Sequence, residues 1–211
     1  MIEKMRELCR KLLSEDTVDV VIGYGQSNPE RPAHAVFIRR AEDVGQLVWN
    51  DQCLPNLTAY LTRKEIKALG RPAIIVKGCD EKALVVLEKE SQIKRDQLVV
   101  IGMACDGVGQ PTATKCATCD VHMPRMADHT IGQVDNPPVD PAARFAELEE
   151  FLEKTPEERM AYWQQELSRC VKCYACRQVC PMCYCEQCLA DKNRPQRIDT
   201  SATLKGNFAW Q

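Results

Sequence analysis

The chain has 211 residues, 45% hydrophobic and 27% charged, with a formal net charge of −2. That is room for one good-sized domain and an appendage, in the ordinary composition of a soluble globular protein. The near-neutral charge gives no reason to expect a nucleic-acid partner, and the odd count of 13 cysteines excludes a fully paired disulfide set.

Residues 3–14 place Met5, Leu8, Cys9, Leu12 and Leu13 at helical spacing, which predicts an amphipathic helix. This stretch mixes acids and bases and lacks the apolar core of a signal peptide. No run of about 18 apolar residues occurs, so no membrane span is expected. A reducing cytoplasm, where thiols stay free for metal, is the expected compartment. Residues 18–24 are apolar and β-branched and read as a buried strand ending at Gly23-Tyr24-Gly25; that turn is too short for a dinucleotide fingerprint. Residues 35–38 are a second strand, and 56–68 read as helix. Residues 72–76 are a strand, followed by Gly78-Cys79-Asp80 and a helix over 81–89. Residues 97–102 are a further strand, ending near Cys105.

Strands alternating with helices predict an α/β fold with a small, mostly parallel sheet. Cysteines just beyond strand C-termini sit where such sheets place their sites. Residues 136–141 form a stiff, proline-rich linker. A helix over 142–153 follows, then a second opened by Thr155-Pro156-Glu157-Glu158, a capping box with proline at the first position. Four segments result: 1–135, the α/β domain; 136–168, linker and helices; 169–190, the cysteine-rich segment; and 191–211, a tail expected to be extended and ordered only against a partner.

The strongest chemical signal is Cys170-Val-Lys-Cys173-Tyr-Ala-Cys176-Arg-Gln-Val-Cys180-Pro181. This C-x2-C-x2-C-x3-C-P run is the bacterial ferredoxin pattern for a 4Fe–4S cluster. Three thiolates on one tight loop reach three corners of an iron–sulfur cube. Cys183, Cys185 and Cys188 bring the group to seven thiols in 19 residues, more than one cube needs. Two arrangements fit: one cluster closed by Cys180 or Cys188, or two clusters sharing the seven. The first is the favoured arrangement. Tyr174 and Tyr184 lie among these cysteines, where ordinary packing explains them better than cluster shielding.

A second group comprises Cys79, Cys105, Cys116 and Cys119. The C-x2-C pair of Cys116 and Cys119 is weak alone, since zinc knuckles and redox dithiols share it. It gains weight because Cys79 and Cys105 each follow a predicted strand. Cys79 also precedes a predicted helix, whose positive end favours a thiolate. Cys9 and Cys53 read as core thiols. His122, three residues after Cys119, reads as a polar loop residue, and Asp106, Asp120 and Asp128 lack a substrate pocket in which to act as acid–base groups.

The residues around this second group carry a family resemblance. Lys77-Gly-Cys79-Asp80-Glu81-Lys82-Ala83-Leu84, Val100-Ile-Gly102-Met-Ala-Cys105, and Cys116-Ala-Thr-Cys119-Asp120 followed by Ala127-Asp128-His129-Thr130-Ile131-Gly132 resemble the C-terminal domain of the beta subunits of deazaflavin-coenzyme-reducing hydrogenases and formate dehydrogenases. The segment from Glu15 to Val21 resembles the opening of that family's first strand, so the likeness covers roughly residues 10–135. It implies that Cys79, Cys105, Cys116 and Cys119 hold one 4Fe–4S cluster, that Asp120 and Asp128 cap loop amides, and that a flavin, FAD, sits beside the cluster and exchanges electrons with the deazaflavin. This chain lacks the family's Gly-rich turn before the first helix and its N-terminal C-x2-C-x2-C segment. The expectation is therefore a chain with two 4Fe–4S clusters, acting as an electron-transfer subunit of a cytoplasmic redox complex. Its partners would be flavoprotein, hydrogenase or formate dehydrogenase subunits. A flavin-containing subunit acting on a deazaflavin is the alternative, and a zinc-stabilised interaction module stands against both.

Overall fold

The computed structural model describes residues 1–136, 140–186, 188 and 201–210. The chain divides into two compact units: Met1–Val139 with Val179–Tyr184, and Asp140–Gln178 with Cys185–Gln211.

The first unit is an α/β layer. Helix α1 (Ile2–Ser14) turns Met5, Cys9, Leu12 and Leu13 into the core. Arg6, on its flank, donates to the Leu47 and Gly45 carbonyls at 2.7 and 2.9 Å. Strand β1 (Val20–Gly25) is buried along its whole length, as the unbroken apolar run requires of a central strand. Strand β2 (His34–Ile38) pairs antiparallel with it, Val21 opposite Ile38. The short helix α2 (Lys64–Lys67) leads to β3 (Pro72–Val76), then α3 (Gly78–Lys89), β4 (Val99–Met103), the single turn α4 (Thr114–Ala117) and β5 (His129–Ile131).

The sheet order is β2-β1-β3-β4-β5, with every pairing parallel except β1 with β2. Parallel strands end on one side, so the loops after β1, β3 and β4 gather at one edge of the sheet. The α/β fold and the mostly parallel sheet expected from the sequence are present.

Three local expectations change. Residues 56–68 are not one helix but two short turns, Leu57–Tyr60 and Lys64–Lys67, separated by the extended backbone of Arg63. Asn56 caps the first turn, accepting from the Thr58 N–H at 3.0 Å and its hydroxyl at 2.6 Å. Burial of Leu57, Thr58, Ala59 and Leu61 then decides the path over helical periodicity. Helix α3 begins three residues earlier than expected, at Gly78. Strand β5 was not expected at all: two of its three residues are exposed, and pairing with β4 creates it.

In the second unit, helices α5 (Pro141–Glu153) and α6 (Pro156–Ser168) form a pair. The capping box is as the sequence spells it: Thr155 Oγ1 accepts from the Glu158 N–H at 3.2 Å, and Glu158 accepts from the Thr155 N–H at 2.7 Å. Phe151 meets Tyr162 and Trp163 edge-to-face at 5.1 and 5.9 Å. Helix α7 (Ala175–Val179) lies inside the ferredoxin-like run. The expected extended tail contains a helix, α8 (Leu204–Trp210); residues 191–200 lie outside the described residues. Its anchor is polar, which apolar counting misses. Asn207 is buried and donates to the Leu167 and Cys170 carbonyls at 2.9 and 3.2 Å.

Candidate metal centre

Cys79, Cys105, Cys116 and Cys119 line one small, largely enclosed cavity of about 20 Å³. They arrive from different elements. Cys79 is the second residue of α3, reached directly from β3. Cys105 follows β4, and Cys116 and Cys119 flank the end of the turn α4. The cavity therefore stands at the C-terminal edge of the parallel strands, where ligand sites of open α/β sheets form. Lys77, Lys115 and His122 also line it, and His122 is the loop residue that the sequence suggests.

Several contacts hold the four loops in place. Gly78 packs so closely on the Val121 carbonyl that no Cβ fits. Glu81 accepts from the Arg125 and Met126 N–H groups at 2.8 and 2.6 Å. Asn136 Oδ1 accepts from the His122 and Met123 N–H groups at 2.6 and 2.9 Å. The His122 carbonyl takes the Cys105 N–H at 3.0 Å, and Lys82 pairs with Asp120. Asp128 accepts from the Val100 N–H at 2.7 Å and pairs with Arg95 at 2.8 Å, tying β5 to β4. Sequence reasoning missed Glu81 and Asn136. Their signal is only that a buried acid and an asparagine sit where loop amides need acceptors.

At Cys79 and Cys105, burial favours the neutral thiol. Burial pushes the Cys79 thiol up to about 12, Asp80 adds to the rise, and Lys77 and Lys115 oppose it. Burial also raises Cys105, against a hydrogen bond from Gly107 and the charge of Lys77. A thiolate here needs a positive partner. Among the described residues, no three His, Cys, Asp or Glu side chains are gathered as they would be around a single ion. Four thiols on one cavity match in number the four irons of a 4Fe–4S cluster, each of which takes one thiolate.

The seven C-terminal cysteines divide otherwise. Cys170, Cys173, Cys176, Cys185 and Cys188 belong to the second unit, Cys180 and Cys183 to the first. Cys173, Cys176, Cys180, Cys183 and Cys185 are exposed; Cys170 and Cys188 are half-buried. Each spacer of the C-x2-C-x2-C loop holds one left-handed residue, Lys172 with φ 54° and Tyr174 with φ 61°. Such angles are uncommon outside glycine and mark a tightly curled backbone. Tyr184 donates to Glu90 at 2.7 Å. Cys9 and Cys53 are buried core thiols, raised by burial to about 12 and about 11. No helix among the described residues is long and apolar enough to cross a membrane.

No protein-family model matches the chain. It is similar to the F420-dependent formate dehydrogenase 1 subunit beta of Methanococcus maripaludis, at 20% identity over an alignment of 278 positions that takes in 86% of this chain and 72% of the relative. It is also similar to the F420-dependent formate dehydrogenase subunit beta of Methanocaldococcus jannaschii, at 22% identity over 284 positions, 88% of this chain and 73% of the relative.

Proposed function

We propose that the chain is an iron–sulfur electron-transfer subunit of a multi-subunit cytoplasmic oxidoreductase complex of the hydrogenase, formate dehydrogenase or heterodisulfide-reductase kind. The observation that carries this reading is the convergence of Cys79, Cys105, Cys116 and Cys119 on one cavity. Their sulfurs would hold one 4Fe–4S cluster, and Cys170, Cys173 and Cys176 with a further cysteine of the same segment would hold another. Such a cluster accepts and releases single electrons. The protein's part is to fix the ligand loops, exclude water from the first site and present the second near the surface, where a partner's flavin or cluster can approach.

The similarity to beta subunits of formate dehydrogenases supports membership in a complex. It also keeps open a second reading, a subunit that binds FAD and acts on a deazaflavin, because both relatives are named for F420 dependence. Denaturing the purified protein and measuring released flavin separates the two. No flavin with iron and acid-labile sulfide present supports the relay; stoichiometric flavin supports the alternative. Zinc with neither iron nor sulfide overturns both.

A further inference from the structure

The cavity wall contains a charge that the four thiols do not account for. Lys77, the residue between β3 and α3, has a side chain only 1% exposed, as does Asp80, and the two pair at 2.9 Å. The ammonium also donates to the Pro55 carbonyl at 3.0 Å and to the Tyr24 hydroxyl. Three donors meet three oxygen acceptors, the pattern of a charged lysine rather than a neutral amine. Asp80 Oδ2 in turn accepts from the Lys77 N–H at 3.0 Å and from the Tyr24 hydroxyl at 3.3 Å. A buried ion pair adds little stability over an apolar pair of the same volume, so stability alone does not account for it. Lys77 lines the cavity with the cysteines, and Asp80 Oδ1 accepts from the Cys79 thiol at 3.8 Å.

We propose that the Lys77–Asp80 pair sets the reduction potential of the group held by Cys79, Cys105, Cys116 and Cys119, with Lys77 as the fixed cation that stabilises the reduced, more negative state and Tyr24 and Pro55 holding it there. The inference rests on the iron–sulfur reading of that site. Reduction adds one electron to the cluster and no charge elsewhere. The cation in the wall favours that electron; the carboxylate beside Cys79 opposes it. Lys77 and Asp80 are therefore positioning residues of opposite sign.

The test is a potentiometric titration of the full chain followed by EPR, with iron and sulfide measured on every sample. Lys77→Met lowers the midpoint of the first-unit cluster and Asp80→Asn raises it. Each shift corresponds to at least a tenfold change in the reduced-to-oxidised ratio at fixed poise, about 59 mV for a one-electron couple. Lys77→Arg keeps the charge and stays near the parent value. A merely structural pair would shift both variants in the same direction or in neither. If Lys77→Met fails to load iron, the opposed shifts of Asp80→Asn and of a Lys77→Gln variant decide. Loaded variants with unmoved or same-sign potentials overturn this inference alone. Absence of iron from the parent protein overturns the reading beneath it.

Discussion

Gly78 and Val121 touch backbone to backbone: the α-carbon of the first residue of α3 lies against the Val121 carbonyl with no space for a side chain. The contact fixes the helix that presents Cys79 to the loop that follows Cys119. Alanine is the better helix former by about 1 kcal/mol, but overpacking costs about 1–3 kcal/mol. Clash outweighs propensity. Gly78→Ala is expected to lower stability by about 1–2 kcal/mol in urea unfolding and to reduce iron at the first site. An unchanged or raised unfolding midpoint would show that Val121 yields freely.

Glu81 ties the same two segments by a second route, through the Arg125 and Met126 amides. Hydrogen bonds to a charged acceptor contribute about 1.5–3 kcal/mol, and their loss leaves two amides without a partner. Glu81→Ala is expected to cost about 2–3 kcal/mol in denaturant unfolding, while Glu81→Gln, which keeps one acceptor, costs less. Equal stability of the two variants would contradict this role.

Much of the fold was legible before the structure, and the exceptions have physical causes. Strands β1, β3 and β4 announce themselves because a central parallel strand must be apolar on both faces, and Val20–Gly25, Pro72–Val76 and Val99–Met103 are buried along nearly all their length. Strand β5 was invisible because His129 and Thr130 are exposed and only Ile131 reaches the core. Cys79 and Cys105 were legible as cysteines after strands, Cys116 and Cys119 as a C-x2-C pair, and the four as one set only through the family resemblance. Lys77 was not, because nothing in a sequence distinguishes a lysine folded over Tyr24 and Asp80 from one in water. Asn207 was missed for the same reason: its partners are backbone carbonyls, which carry no sequence signature.

The two cysteine groups are expected to load independently. Cys116→Ser should remove the EPR signal of the first-unit cluster and leave that of the ferredoxin-like segment; Cys173→Ser should do the reverse. Loss of both signals in either variant would mean that metal binding at one site is coupled to folding of the other.

Buried thiols outside the two groups are expected to be inert. With Cys9 raised to about 12, only about one molecule in ten thousand carries its thiolate at pH 8, and the thiolate is the reactive form. Iodoacetamide at that pH should leave Cys9 and Cys53 unmodified in the folded protein and label both after denaturation, as read by peptide mass spectrometry. As pH rises toward their raised values, labelling should increase. Rapid labelling of Cys9 at neutral pH in folded protein would contradict its place in the core.

Whether this chain carries two iron–sulfur clusters is tested most directly by iron and acid-labile sulfide per chain in anaerobically purified protein. About eight of each are expected, two cubes of four irons. About four would leave one cysteine group without a cluster, and zinc in place of iron and sulfide would overturn the iron–sulfur reading of both cysteine groups.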